Sequence, residues 1–156
     1  MDLSAKSPGF AVDSQSHTIR FDRKIHAPRA QVFESWTNPE QVAVWWDPTG
    51  ERLVVCEIDL RPGGAFSFAS RSHTDMPFSG VYREIAPPER LVFEAMGAVG
   101  RVLLTEAAGA THLQVEIVCR SKEHLEQFVQ MGVHLGTAQT LDNLVGFVEG
   151  SAALAT

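Results

Sequence analysis

From His17 onward the chain alternates. Ile19, Phe21 and Ile25 fall on one side of an extended segment and Arg20, Asp22 and Lys24 on the other, the period-two mark of a half-buried strand. Pro28 then opens a short helix, with Val32, Phe33 and Trp36 recurring at helical spacing. Asn38-Pro39-Glu40 restarts the chain, with Asn38 placed to cap a second short helix whose apolar side is Val42, Trp45 and Trp46. Asp47-Pro48-Thr49-Gly50 ends it.

Short strands separated by turn signals follow. Residues 51–61 put Val54, Cys56, Ile58 and Leu60 on one face and Glu57 and Asp59 on the other. Pro62-Gly63-Gly64 turns the chain into 65–72, with Phe66 and Phe68 on one side, and then comes 76–85. Ala86-Pro87-Pro88-Glu89 is the next turn, and strands 91–96 and 102–106 flank a link at 97–100. Leu113, Val115, Ile117 and Cys119 alternate in the last strand. Hairpin-length links between successive strands mean an antiparallel sheet. Ser121 begins a final helical region running to about residue 150. Leu125, Phe128, Val129 and Leu135 project near Gly132, whereas Leu141, Leu144, Val145 and Val148 project nearly opposite. Gly is costly inside a helix, so the change of face favours a break or bend near Gly132–Gly136.

This order predicts an α+β fold. A curved antiparallel sheet of about six to seven strands wraps a long C-terminal helix, and two short helices follow the first strand and close one end. Residues 17–150 make a single domain, 1–16 a flexible lead-in and 151–156 a tail. A cavity remains wherever the helix does not fill the concave face.

Composition sharpens this picture. The 156 residues suit one domain. Nine Phe and three Trp against one Tyr are an aromatic store that a concave sheet could use as cavity wall. A net charge of −6 argues against nucleic-acid and anionic-membrane partners. Cys56 and Cys119 lie in apolar alternating segments and read as small buried hydrophobes. No leader-type or membrane-spanning stretch is visible, so the expected compartment is cytoplasmic.

The motifs carry a resemblance. Ile25-His26-Ala27-Pro28-Arg29-Ala30-Gln31-Val32-Phe33, Pro39-Glu40 followed by Trp45-Trp46, and Asp59-Leu60-Arg61-Pro62-Gly63-Gly64 occur in order. Gly80-Val81-Tyr82-Arg83-Glu84-Ile85, Pro88-Glu89-Arg90-Leu91-Val92-Phe93, Thr111-His112-Leu113, and Gly136 with Leu141-Asp142-Asn143-Leu144 continue the series. Over roughly residues 18–149 the chain resembles the activator of heat-shock-protein-90 ATPase homologue family, within the START-like (SRPBCC, Bet v-type) superfamily. The resemblance implies a helix-grip fold with a cavity between sheet and terminal helix. Founding members act on a chaperone, usually through an additional N-terminal domain, for which the stretch before residue 17 is too short. Many members also carry Trp at the position of Thr137.

Within such a cavity the expected ligand contacts are Trp45, Trp46, Phe66 and Phe68 from the front of the chain. Tyr82, Phe93, Phe128, Met131 and Leu135 are expected from the later strands and the helix. The two adjacent tryptophans lie 100° apart on a helix, so one packs inward while the other covers the mouth. The Pro-Gly-Gly segment is hairpin chemistry, not a phosphate loop, since no Lys-Ser/Thr ending or helix follows it. Tyr82 and Glu84, two apart on a strand, share a face and could move a proton or form a surface pair. Glu94 sits in an apolar strand, and the alternation sends Glu116 outward. Of the histidines His17, His26, His73, His112, His124 and His134, none has metal-ligand spacing, and His134 could face cavity or solvent.

No cofactor and no metal is expected. Three functions stay open. The first is a binding module for an apolar or aromatic metabolite or a lipid-like molecule. The second is a cyclase- or lyase-type enzyme using Tyr82, Glu84 and His134, although no diagnostic catalytic motif is present. The third is a protein-interaction domain with a chaperone partner or a second copy of itself.

Overall fold

The computed structural model describes residues 9–155. In chain order these form β1 (Phe10–Asp13), β2 (Thr18–Ile25), α1 (Arg29–Thr37), α2 (Pro39–Trp45), β3 (Leu53–Ile58), β4 (Ala65–Ser70) and β5 (Phe78–Ala86). Then follow β6 (Arg90–Ala95), β7 (Ala98–Ala107), β8 (Ala110–Val118), α3 (Lys122–Gln130) and α4 (Val133–Ala155). The strands make one antiparallel sheet in the order β1-β2-β8-β7-β6-β5-β4-β3. The fold is α+β, as the alternation and the terminal helical stretch require.

The local chemistry explains most boundaries. The Asn38 side chain accepts the Glu40 N–H at 3.0 Å and Pro39 takes the first helical position, so α2 starts where the sequence placed it. Ser121 caps α3 by accepting the His124 N–H at 3.1 Å. Gly132, at φ +77°, ends α3 in the left-handed conformation that glycine tolerates best, and the break lies where the change of apolar face put it. Gly64 permits the β3–β4 turn: a Cβ there would stand 2.0 Å from the Asp59 carbonyl oxygen.

Five expectations change. The first eight residues of the stretch 1–16 lie outside the described residues, but Phe10–Asp13 is an edge strand rather than part of a flexible lead-in. With it the sheet reaches eight strands instead of six to seven. The link placed at 97–100 is shorter, because Met96 and Gly97 (φ 54° and 79°) form a two-residue hairpin and β7 begins at Ala98. Gly100 belongs to the strand because the Phe93 ring covers it, leaving a Cβ only 2.4 Å from Phe93 Cζ. Val54 and Leu60 are exposed rather than inward, since the β3–β4 register shifts between Leu53 and Val55 and β3 ends before Leu60. At the far end, α4 continues through most of the stretch read as a tail, to Ala155.

Helix α4 buries Leu141, Leu144 and Val148 against β2 and the short helices. Arg23 on β2 clamps it there, donating to Asp142 Oδ1 at 2.9 Å, to the Ala138 carbonyl at 3.2 Å and to the Gly9 carbonyl at 2.7 Å. His26 adds a second tie through its backbone N–H (3.0 Å) and Nδ1 (2.8 Å) to Glu149 Oε2. These ties fix one side of the helix, so the opening on its other side has a defined shape.

An exposed ion pair accompanies the backbone pairing of β1 with β2. Asp13 bonds Arg20 at 3.1 Å, and that hydrogen bond, with others from the turn, depresses its carboxyl from 3.8 to about 2. A depressed folded-state pKa stabilises above the unfolded value and is lost as pH falls through the folded one. Asp13→Asn should therefore flatten the fall in Tm between pH 3.8 and about 2, followed by thermal melts across that interval. Equal slopes in the two proteins would show that this carboxylate is not linked to folding.

Candidate functional site

The helices and the inner face of β5–β8 do not close completely. They leave a cavity of about 270 Å³. Its sheet side is Phe78, Phe93, Ala95, Ala98, Gly100, Val115 and Ile117; its helix side is Trp36, Trp46, Pro48 and Phe128 together with residues of α4. The α4 stripe is Val133, Gly136, Thr137, Thr140 and Leu141, the spacing of one helical face. Small residues make the room: Ala95, Ala98 and Gly100 are consecutive inward positions on the β6–β7 hairpin, where larger side chains would fill the space. Met96, half exposed at the hairpin tip, stands at the rim.

A smaller chamber of about 20 Å³ lies against it, walled by Val42, Phe66, Phe68, Tyr82 and Leu91. Trp36, Trp46 and Phe93 are shared by both spaces. The three tryptophans form one cluster, with ring centroids 5.0 Å (Trp36–Trp45), 5.6 Å (Trp45–Trp46) and 6.5 Å (Trp36–Trp46) apart. Trp46 continues into Phe68 at 4.9 Å and Phe78 at 5.3 Å.

No charged side chain lines either space. The Thr140 hydroxyl is committed to the Trp46 carbonyl at 2.9 Å. Burial, with a smaller contribution from the neighbouring Cys56 thiol, holds the Tyr82 phenol above its usual range, so it stays protonated. The Cys56 thiol is itself pushed up to about 11 by burial and is no nucleophile at neutral pH. Among the described residues no group of three or more His, Cys, Asp or Glu could hold a metal ion. None of the described helices is long and apolar enough to cross a membrane.

The side chains named from the sequence separate into groups. Trp46, Phe93 and Phe128 lie on the larger cavity, and Phe66, Phe68 and Tyr82 on the smaller chamber. Trp45 lies on neither: it is 1% exposed and its indole N–H is bonded to the Ser35 carbonyl at 3.0 Å, which makes it the inward member of the pair. Met131 and Leu135 are 60% and 59% exposed, away from the cavity. The break at Gly132 restarts the helical phase, so Val133 takes the inward position and Leu135, 200° further round, faces out.

The candidate acid–base group does not assemble. A register shift between Tyr82 and Glu84 ends their shared face: Tyr82 is buried, while Glu84 is exposed and pairs with Arg90 at 3.6 Å. His134 packs edge-on against Phe10 at 4.9 Å and is not a wall of either space. Glu94 and Glu116 both point outward to arginines, Arg83 at 3.0 Å and Arg20 at 3.1 Å. His124 has a structural role. Its Nδ1 accepts the Arg120 N–H at 3.0 Å, so Nε2 carries the proton and donates to the Met96 carbonyl at 3.1 Å, joining α3 to the cavity rim.

Trp36 and Phe78 are walls that the pattern did not single out. Trp36 read as ordinary helical core, and Phe78 sat unmarked near the start of a strand. The only available signal was aromatic surplus, which does not say which rings share a space.

The comparisons agree with this architecture. A protein from Nitrosomonas europaea has a similar solved structure, with a TM-score of 0.78 at 21% identity, covering 87% of this chain and 96% of that one. A protein from Chromobacterium violaceum gives 0.68 at 27% identity, covering 85% and 97%. An AHSA1-like protein from Aeromonas hydrophila gives 0.67 at 22% identity, covering 85% and 94%. No curated protein matches the chain. The sequence model of the family described as "Activator of Hsp90 ATPase homolog 1-like protein" matches residues 26–149, which is most of the described fold, and the chain belongs to that family.

Proposed function

We propose that the protein binds a small, uncharged, apolar or aromatic molecule, a metabolite or lipid-like compound, in the cavity between the sheet and α4. The observation that carries this reading is the wall itself. About 270 Å³ is bounded by aromatic rings and aliphatic side chains, with two threonines as the polar side chains among them. Pockets of this kind hold ligands by apolar burial, with a few polar groups setting orientation. An ionised ligand would lose its hydration and meet no opposite charge. The separation of Tyr82, Glu84 and His134 favours binding over acid–base catalysis.

Native mass spectrometry of freshly purified protein tests this. The expected result is a retained small-molecule mass that disappears under denaturing conditions. Protein emptied in that way and refolded should take up N-phenyl-1-naphthylamine, a neutral dye that brightens in apolar surroundings. A bare protein mass together with no dye uptake would refute the proposal.

A further inference from the structure

Among the described residues, a histidine makes the hydrogen bond that joins α3 to the β6–β7 hairpin. His124 donates from Nε2 to the Met96 carbonyl at 3.1 Å. Its other nitrogen, Nδ1, accepts the backbone N–H of Arg120 at 3.0 Å. A ring that accepts at one nitrogen and donates at the other is neutral, since an imidazolium donates at both. A second proton would set Nδ1–H against the Arg120 N–H, and that contact must then break. His124 is also the third residue of α3, where a positive charge meets the positive end of the helix dipole.

Among the described residues no carboxylate pairs with this ring; the histidines that have such a partner are His26 and His112. Arg120 lays its guanidinium against the same hairpin, since a Cβ on Gly97 would stand 2.6 Å from its Nη2. Lys122, Glu123 and Glu126 are exposed and lie about 100° to 200° round the helix from His124. Cys119, just past β8, has its thiol pushed up by burial and stays neutral. Glu94 on β6 is turned outward to Arg83, and His134 on α4 packs against Phe10. Two walls of the cavity rest on the ring: Phe128 meets it edge-on at 4.6 Å, and Met96 takes its hydrogen bond at the rim.

We propose that His124 is a proton-sensitive latch on the cavity: neutral, it holds the Met96–Gly97 hairpin to α3, and protonated, it releases the hairpin and opens the rim. This rests on the binding function above and adds its regulation. Loss of the Arg120 contact frees the ring to turn. The Met96 carbonyl then loses its donor, and Phe128 loses the ring packed against it. Histidine is the side chain whose charge changes near physiological pH, at about 6.5 when unperturbed. A ligand held at neutral pH is therefore released faster in mild acid.

The test follows the full ¹⁵N-labelled chain without ligand, and then with N-phenyl-1-naphthylamine, which stays uncharged over the range used. The Arg120 and Gly97 amide signals should move together between about pH 7.5 and 5.5, one unit either side of the ordinary histidine value. Dye release, followed by stopped-flow fluorescence, should quicken by roughly fivefold over the same interval, the weight of one neutral hydrogen bond. His124→Gln keeps a side-chain donor and takes up no proton, so both responses should vanish in it. An Arg120 amide that stays still in the unaltered chain overturns the latch, whether or not the variant folds. So does an amide shift, or a pH dependence of dye release, that is the same in both proteins; the cavity reading then stands. Dye that binds at no pH overturns the binding reading and the latch with it.

Discussion

Gly136→Phe is expected to abolish ligand uptake without harming the fold. Gly136 lies on the cavity-facing stripe of α4, and a Cβ there would meet only Pro48 Cγ, at an ordinary 3.6 Å. A phenyl ring growing from that position enters the space between Pro48 and the sheet. Filling the site removes the buried contacts that give a pocket its affinity. Stability should move the other way, because replacing a helical Gly with Phe recovers about 0.5 kcal/mol of helix propensity. The two readouts are dye affinity by fluorescence titration and the urea midpoint. Unchanged dye affinity in a folded variant would mean that the dye, and by extension the ligand, sits elsewhere.

Trp45→Ala should produce the largest loss of stability. Trp45 is 1% exposed, packs between Trp36 and Trp46, and makes the hydrogen bond to Ser35. Truncating a buried Trp to Ala typically costs about 3–5 kcal/mol, from lost burial plus the void left behind. Domains of this size hold about 5–15 kcal/mol in total, so the variant should be marginal at 25 °C. Urea unfolding followed by circular dichroism gives the difference directly. Trp45→Phe keeps a ring and drops the N–H, and should cost markedly less. A loss below about 1 kcal/mol for Trp45→Ala would contradict the packing described here.

These two residues illustrate what pattern alone could reach. Adjacent tryptophans on a helix must diverge, and that much is arithmetic. Which one faces the cavity is not. Trp45 fits under α1, where the Ser35 carbonyl meets its N–H, and this leaves Trp46 to the rings of β4 and β5. The same holds for Tyr82 and Glu84. Strict alternation puts them on one face, and a single register shift separates them. In α3 and α4 the glycine break was visible, but its consequence for Met131 and Leu135 was not. A projection carried through a left-handed residue loses its phase.

The sequence by itself determined the order of the elements after residue 17, the antiparallel sheet, the cap at Asn38, a break near Gly132–Gly136 and the family. Each of these depends on short-range chemistry: side-chain period, a capping oxygen, a residue that tolerates positive φ. Only the tertiary structure decided which aromatic rings border a common space, that Phe10–Asp13 extends the sheet, and that the Trp36 indole nitrogen is buried without a partner. Those facts depend on strand register and on contacts between separate segments of the chain, where one displaced residue turns a side chain from wall to surface.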